Sequence, residues 1–97
     1  MIHVKVKKSD IRKGRLKAKA TCGCPIWHAL SRALRSICGP VDTDLTIPHV
    51  EYGLFGGFKL VLPEDAVEFQ RDLIADFSAH VVPFDFDADV VVARGGK

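Results

Sequence analysis

The sequence predicts an α+β fold: one domain of β-α-β-β-α-β order, a ferredoxin-like antiparallel sheet with two helices on one face. Three observations carry this. Short runs near both ends of the chain alternate apolar and polar residues. Two internal segments repeat apolar residues at helical spacing. Between them, two β-branched runs flank a Gly-Gly turn.

The opening run, Ile2-His3-Val4-Lys5-Val6-Lys7, alternates strictly, so Val4 and Val6 share one strand face and Lys5 and Lys7 the other. Ser9 to Gly14 reads as one helical turn, with Ser9 at its N-cap and Gly14 at its stop. Residues 15–23 form a basic connection without a clear period. Pro25 to Cys38 is the clearest helix. Cys24 stands at its N-cap and Pro25 at its first position, and Ile26, Ala29, Leu30, Ala33, Leu34 and Ile37 make one apolar stripe. Cys38 extends the Leu30 and Leu34 row and is expected to be buried.

Leu45 to Tyr52 and Phe58 to Leu62 read as strands. Pro48 confines the first to a sheet edge, because it has no N–H to give a ladder. Leu54 and Phe55 fall at the hairpin tip, beside Gly56-Gly57. A second helix follows Pro63, with Ala66, Phe69, Leu73 and Phe77 as its buried stripe and Ile74 beside them. The last strand covers about Val82 to Val92, where Phe84, Phe86 and Ala88 alternate with Asp85, Asp87 and Asp89. It is expected to pair antiparallel with the first strand, setting Lys5 and Lys7 beside Asp85 and Asp87. The domain spans residues 1–93, and residues 94–97 form a flexible tail.

At 97 residues with 47% apolar and 27% charged, the composition is that of one small globular domain and excludes a disordered chain. No apolar run approaches a membrane span, and the charged N-terminus has no leader-like apolar region. Three cysteines with no sign of secretion point to reduced thiols and a cytoplasmic setting, the host cytoplasm if the chain is phage-encoded.

Charge is divided sharply along the chain. Residues 1–38 carry ten Lys/Arg and one carboxylate, whereas residues 39–97 carry four Lys/Arg and eleven Asp/Glu. Either the two halves face each other or one half meets a charged partner.

Cys22, Cys24 and His28 suggest zinc, but Cys24 and Cys38 lie about 20 Å apart along a helix rising 1.5 Å per residue. No metal and no cofactor is therefore expected. Cys24 with His28 also resembles the skeleton of a thiol nucleophile at a helix N-terminus. No third, orienting group is identifiable, so a non-catalytic protein is expected and a thiol-dependent enzyme is the third reading. Lys13, Arg15, Lys17, Lys19, Arg32 and Arg35, with Lys8 and Arg12, form the set suited to nucleic-acid phosphates. Trp27, Leu54 and Phe55 lie off the core stripes, and such residues commonly anchor protein interfaces.

An opening strand, Asp10-Ile11 with Gly14, Cys24-Pro25-Ile26 followed by Ala29-Leu30, Leu62-Pro63 leading to Phe69, and Pro83-Phe84-Asp85-Phe86 together span most of the chain. In these elements the chain resembles a family of small uncharacterised phage and prophage proteins. The resemblance implies no activity and assigns no functional residue. Trp27 and His28 depart from the small apolar residues of that family's Cys-Pro helix. The leading expectation is a phage-type accessory protein that docks on a protein partner through Trp27, Leu54 and Phe55, as an inhibitor of a host factor would. The alternative is a nucleic-acid contact module using the basic segment 8–19 with Arg32 and Arg35. Homo-oligomerisation is compatible with both, and no membrane role is expected.

Overall fold

The computed structural model describes residues 1–39 and 44–92. In chain order the elements are β1 (Ile2–Val6), α1 (Lys8–Gly14), a 3-10 turn (Arg15–Lys17), α2 (Pro25–Cys38), β2 (Leu45–His49), β3 (Tyr52–Phe55), β4 (Phe58–Val61), α3 (Glu64–Ala75) and β5 (Phe84–Val92). The fold is α+β, with a five-stranded antiparallel sheet and three α-helices. The expected tail, residues 94–97, and the domain end at residue 93 lie outside the described residues.

The sheet order is β1-β5-β4-β3-β2. Closing and opening strands pair antiparallel, as expected, with Val4 opposite Phe86 and Lys5 opposite Asp85. The rest of the order differs from the ferredoxin-like expectation. There the first strand lies inside the sheet; here β1 is an edge, and β5 lies between β1 and β4. The reason lies in residues 45–55. The expected long strand breaks at Val50-Glu51 after a register shift, so a three-stranded meander β2-β3-β4 forms in place of one hairpin. β5 then adds to the free side of β4, and β1 to the free side of β5. Pro48 does lie on an edge strand.

Val4, Val6, Leu60, Phe86 and Ala88 are buried on the face covered by the helices, against Ile26, Leu30, Leu34, Ala66, Phe69 and Leu73. The alternate residues His3, Lys5, Asp85, Asp87 and Val61 are exposed on the open face. Both sheet edges are tied to α2. The Trp27 indole Nε1–H donates to the Leu45 carbonyl on β2 at 2.8 Å, and Arg32 donates to the Lys5 carbonyl on β1 at 2.7 Å. Thr21 accepts the Ile47 N–H at 2.7 Å, so the segment leading into α2 also covers the β2 edge.

Three core assignments change. Ile37 is 65% exposed and Cys38 is exposed, because the last turn of α2 runs past the layer it packs on; the Cys38 thiol instead donates back to the Leu34 carbonyl. Phe77 lies beyond the end of α3 and is exposed, so Val67 and Gln70 complete the buried face of that helix. The first helix begins at Lys8 rather than at a Ser9 cap, since Asp10 closes its N-terminus by accepting the Lys7 N–H at 2.8 Å.

Candidate functional site

The basic connection folds back over the start of α2. Gly14 makes this approach feasible: a Cβ there would lie 2.3 Å from the Pro25 nitrogen and 2.5 Å from the Cys24 carbonyl carbon. Gly23, at φ +90°, turns the chain beneath the Lys17 stem just before the helix. The result is an open cleft of about 540 Å³ lined by Lys13, Lys17, Cys22, Gly23, Trp27 and His28. A second hollow of about 380 Å³ shares Lys13, Trp27 and His28 and continues to Ser31, Arg32 and Arg35.

The electrostatics are one-sided. Among the described residues, no carboxylate lines the first cleft. Among the described residues, the acid lining the second is Asp10, which is 2% exposed and already holds the Arg32 guanidinium through two bonds of 2.8 and 2.7 Å. Burial alone would raise the Asp10 carboxyl, but the bonds from Arg32 and from the Lys7 N–H outweigh it and hold it below the usual range. His28 is pushed down from its ordinary value, first by burial and then by Lys13 and Lys17, although Asp10 acts the other way. It is therefore a neutral imidazole near pH 7, able both to donate and to accept. The indole of Trp27 meets the His28 ring edge-on at 5.2 Å between centroids.

The thiol chemistry read from the sequence does not assemble here. Cys24 caps α2 as expected, its Sγ accepting the Trp27 N–H at 3.3 Å. It is fully buried, and burial pushes its thiol up despite the N–H groups that favour the thiolate. A nucleophile needs the opposite shift and access to solvent. Cys22 is exposed. Among the described residues, no group of three or more His, Cys, Asp or Glu could hold a metal ion.

The candidate nucleic-acid set divides. Lys13 and Lys17 line the cleft, and Arg35 lines its extension. Arg15 serves the fold by donating to the Phe77 and Ala79 carbonyls at 3.0 and 2.6 Å. Arg32 is bound to Asp10, and Lys19 stands 6.0 Å from the Phe77 ring centre.

The candidate protein-docking set divides as well. Trp27 is half-buried at the β2 edge. Leu54 and Phe55 lie within β3 rather than at the hairpin tip, which is Gly56-Gly57, so as strand neighbours they point to opposite faces. Phe55 packs against the core.

Two clusters escaped the sequence reading. His3 contacts Asp87 through Nδ1 at 2.8 Å and Asp85 through Nε2 at 3.1 Å; Lys5 stands opposite Asp85 as expected, but Lys7 lies beyond the strand as the cap of α1. On the other half of the open face, His49 stacks on Tyr52 and Lys59 stands 4.5 Å above the Tyr52 ring. Period-two pairing could have brought His3 to the aspartates. The Tyr52 cluster depends on the break at Val50-Glu51, which nothing in the alternation marks.

Compared with protein-family models, curated proteins and solved structures, the chain matches none. No helix among the described residues is long and apolar enough to cross a membrane.

Proposed function

We propose that this chain is a non-catalytic binding module that takes a strand of nucleic acid in the cleft between α1 and the start of α2. One observation carries the reading: a cleft of about 540 Å³ lined by Lys13, Lys17, Trp27 and His28 and, among the described residues, by no carboxylate. Cations beside an aromatic ring are the elements that single-stranded nucleic acid uses, phosphate on the charge and base against the ring. A neutral His28 adds a hydrogen-bonding group without needing a counterion. The open sheet face is a poor rival for the same ligand, because Asp85, Asp87 and Asp89 are exposed along it. A phage-type accessory role in a host cytoplasm, which the sequence resemblance suggests, is a setting in which such a module would work.

The test is fluorescence anisotropy of a labelled single-stranded oligonucleotide at low salt. Lys13→Glu with Lys17→Glu should weaken binding at least tenfold, and binding should fall steeply with salt, since each neutralised phosphate releases counterions. Lys59→Glu, on the open face, should leave binding unchanged. Trp27 is the single tryptophan, so its emission should change on titration. Equal binding by wild type and the double variant would sink the reading.

Protein docking is retained as the second reading on a different surface from the one expected. Leu54, Lys59 and Val91 form one cross-strand row on the open face, with the exposed Val61 beside it. Leu54→Asp with Val91→Asp would then abolish capture of a protein partner while sparing the oligonucleotide.

A further inference from the structure

We propose that the chain pairs with a second copy of itself about a two-fold axis running along the exposed segment 80–83. This segment lines two adjoining grooves of opposite charge. On one side, a groove of about 450 Å³ is rimmed by Asp65, Glu68 and Asp72 of α3, over a floor that includes Phe69 and Phe84. On the other, a groove of about 530 Å³ is rimmed by Lys8 and Arg12 of α1. His80, Val81 and Val82 line both. Val82 is 58% exposed on this segment, a large apolar group with no cover among the described residues. Arg15, which lines the basic groove, holds the chain just before this segment through the Phe77 and Ala79 carbonyls.

The geometry selects the occupant. Rotation by 180° about an axis along this segment lays the basic groove of one copy over the acidic groove of the other, and does so twice. Val82 then meets Val82 at the centre. An isologous contact must be self-complementary, and opposite charges on either side of one exposed apolar segment meet the electrostatic part of that condition, the long Lys8, Arg12 and Glu68 side chains reaching across the grooves. Lys8, Arg12, Glu68 and Asp72 form no ion pair within the chain among the described residues, so their charges remain for a partner. Lys8 and Arg12 lie one turn apart on α1, while Lys13 is about 100° round the helix toward the cleft. The pairing is therefore independent of nucleic-acid binding and would leave one cleft open on each copy.

The experiment is sedimentation velocity of the nuclease-treated chain at low and high salt. Wild type should be a dimer at low salt and dissociate at high salt. Glu68→Lys with Asp72→Lys gives a chain basic on both sides of the segment; Lys8→Glu with Arg12→Glu gives one acidic on both. Each should dimerise at least tenfold more weakly. An equimolar mixture of the two should form a heterodimer, since both contacts are then again complementary. Val82→Asp gives a second route and should also yield monomer. A monomeric wild type at low salt, dimers that persist in every variant, or two folded variants that do not combine on mixing would each overturn the proposal.

Discussion

His3 is held by acceptors at both ring nitrogens. Asp87 and Asp85 are carboxylates, which only accept, so both bonds form at once only when both nitrogens carry protons. The bonds to Asp87 and then to Asp85 accordingly raise the His3 pKa above its ordinary value of 6.5. The cross-strand contact between β1 and β5 is thus strongest when the imidazole is charged. An NMR titration should find His3 protonating at higher pH than a free histidine, and Asp87→Asn with Asp85→Asn should return it toward 6.5. An unshifted wild-type His3 would show that the clamp does not form in solution. Gln70 is the converse case, a polar group that is 2% exposed on α3. Its Nε2 donates to the Ala18 carbonyl at 2.7 Å and ties the basic connection to α3, while its Oε1 has no hydrogen-bond partner among the described residues. Gln70→Ala would free the Ala18 carbonyl and leave a void, an effect of about 2–3 kcal/mol.

At the scale of elements, the α1–α2 junction positions the cleft, and Gly14 decides it. Gly14→Ala puts a methyl into the Cys24-Pro25 backbone, which has no flexible side chain to give way. A loss of about 2 kcal/mol or more is expected from such overpacking, with the cleft disturbed as well. Gly57→Ala has nothing within 4 Å and should stay within about 0.5 kcal/mol of wild type by chemical denaturation. The sequence signals Gly14 only as a helix stop, because a close approach between segments ten residues apart leaves no local mark. What was legible follows from short-range rules. β1 and β5 announce themselves by alternation, and α2 by its stripe, its Cys24 cap and Pro25. What was not legible depends on tertiary placement. Ile37, Cys38 and Phe77 obey the helical period but outrun the layer that would bury them. The meander arises where two residues, Val50 and Glu51, turn a run that reads as one strand. Likewise, Lys13, Lys17, Trp27 and His28 were each singled out as candidates, but for three different chemistries; only the fold places them in one cleft.

Over the whole molecule, the division of charge is partly spent inside the fold. Asp10 and Arg32 neutralise each other, whereas His3 offsets at most one of the two exposed charges of Asp85 and Asp87. The remainder is sided: cations on α1 and the connection that leads into α2, carboxylates on α3 and β5. The same internal pairs set how stability varies with pH. Asp10 has a depressed folded pKa, so its contribution is present above its ordinary value of 3.8 and is lost as pH falls through the folded value. Asp76, held down by its bonds from Ser78, acts in the same direction. Cys24 is raised above its ordinary 9.0; its contribution is complete below that value and lost as pH rises through the folded one. Near neutrality, the two shifted histidines oppose each other. His3, raised, favours folding on the acid side of 6.5, and His28, lowered, favours it on the alkaline side. Urea denaturation across pH 3 to 10 should therefore give a plateau through neutrality with a loss at each end. Asp10→Asn should be less stable than wild type at pH 7 and lose less on going to pH 3. Cys24→Ala should reduce the alkaline loss in the same way, because no buried thiol then has to ionise. An acid limb of wild-type steepness in Asp10→Asn would show that the Asp10–Arg32 pair does not govern it.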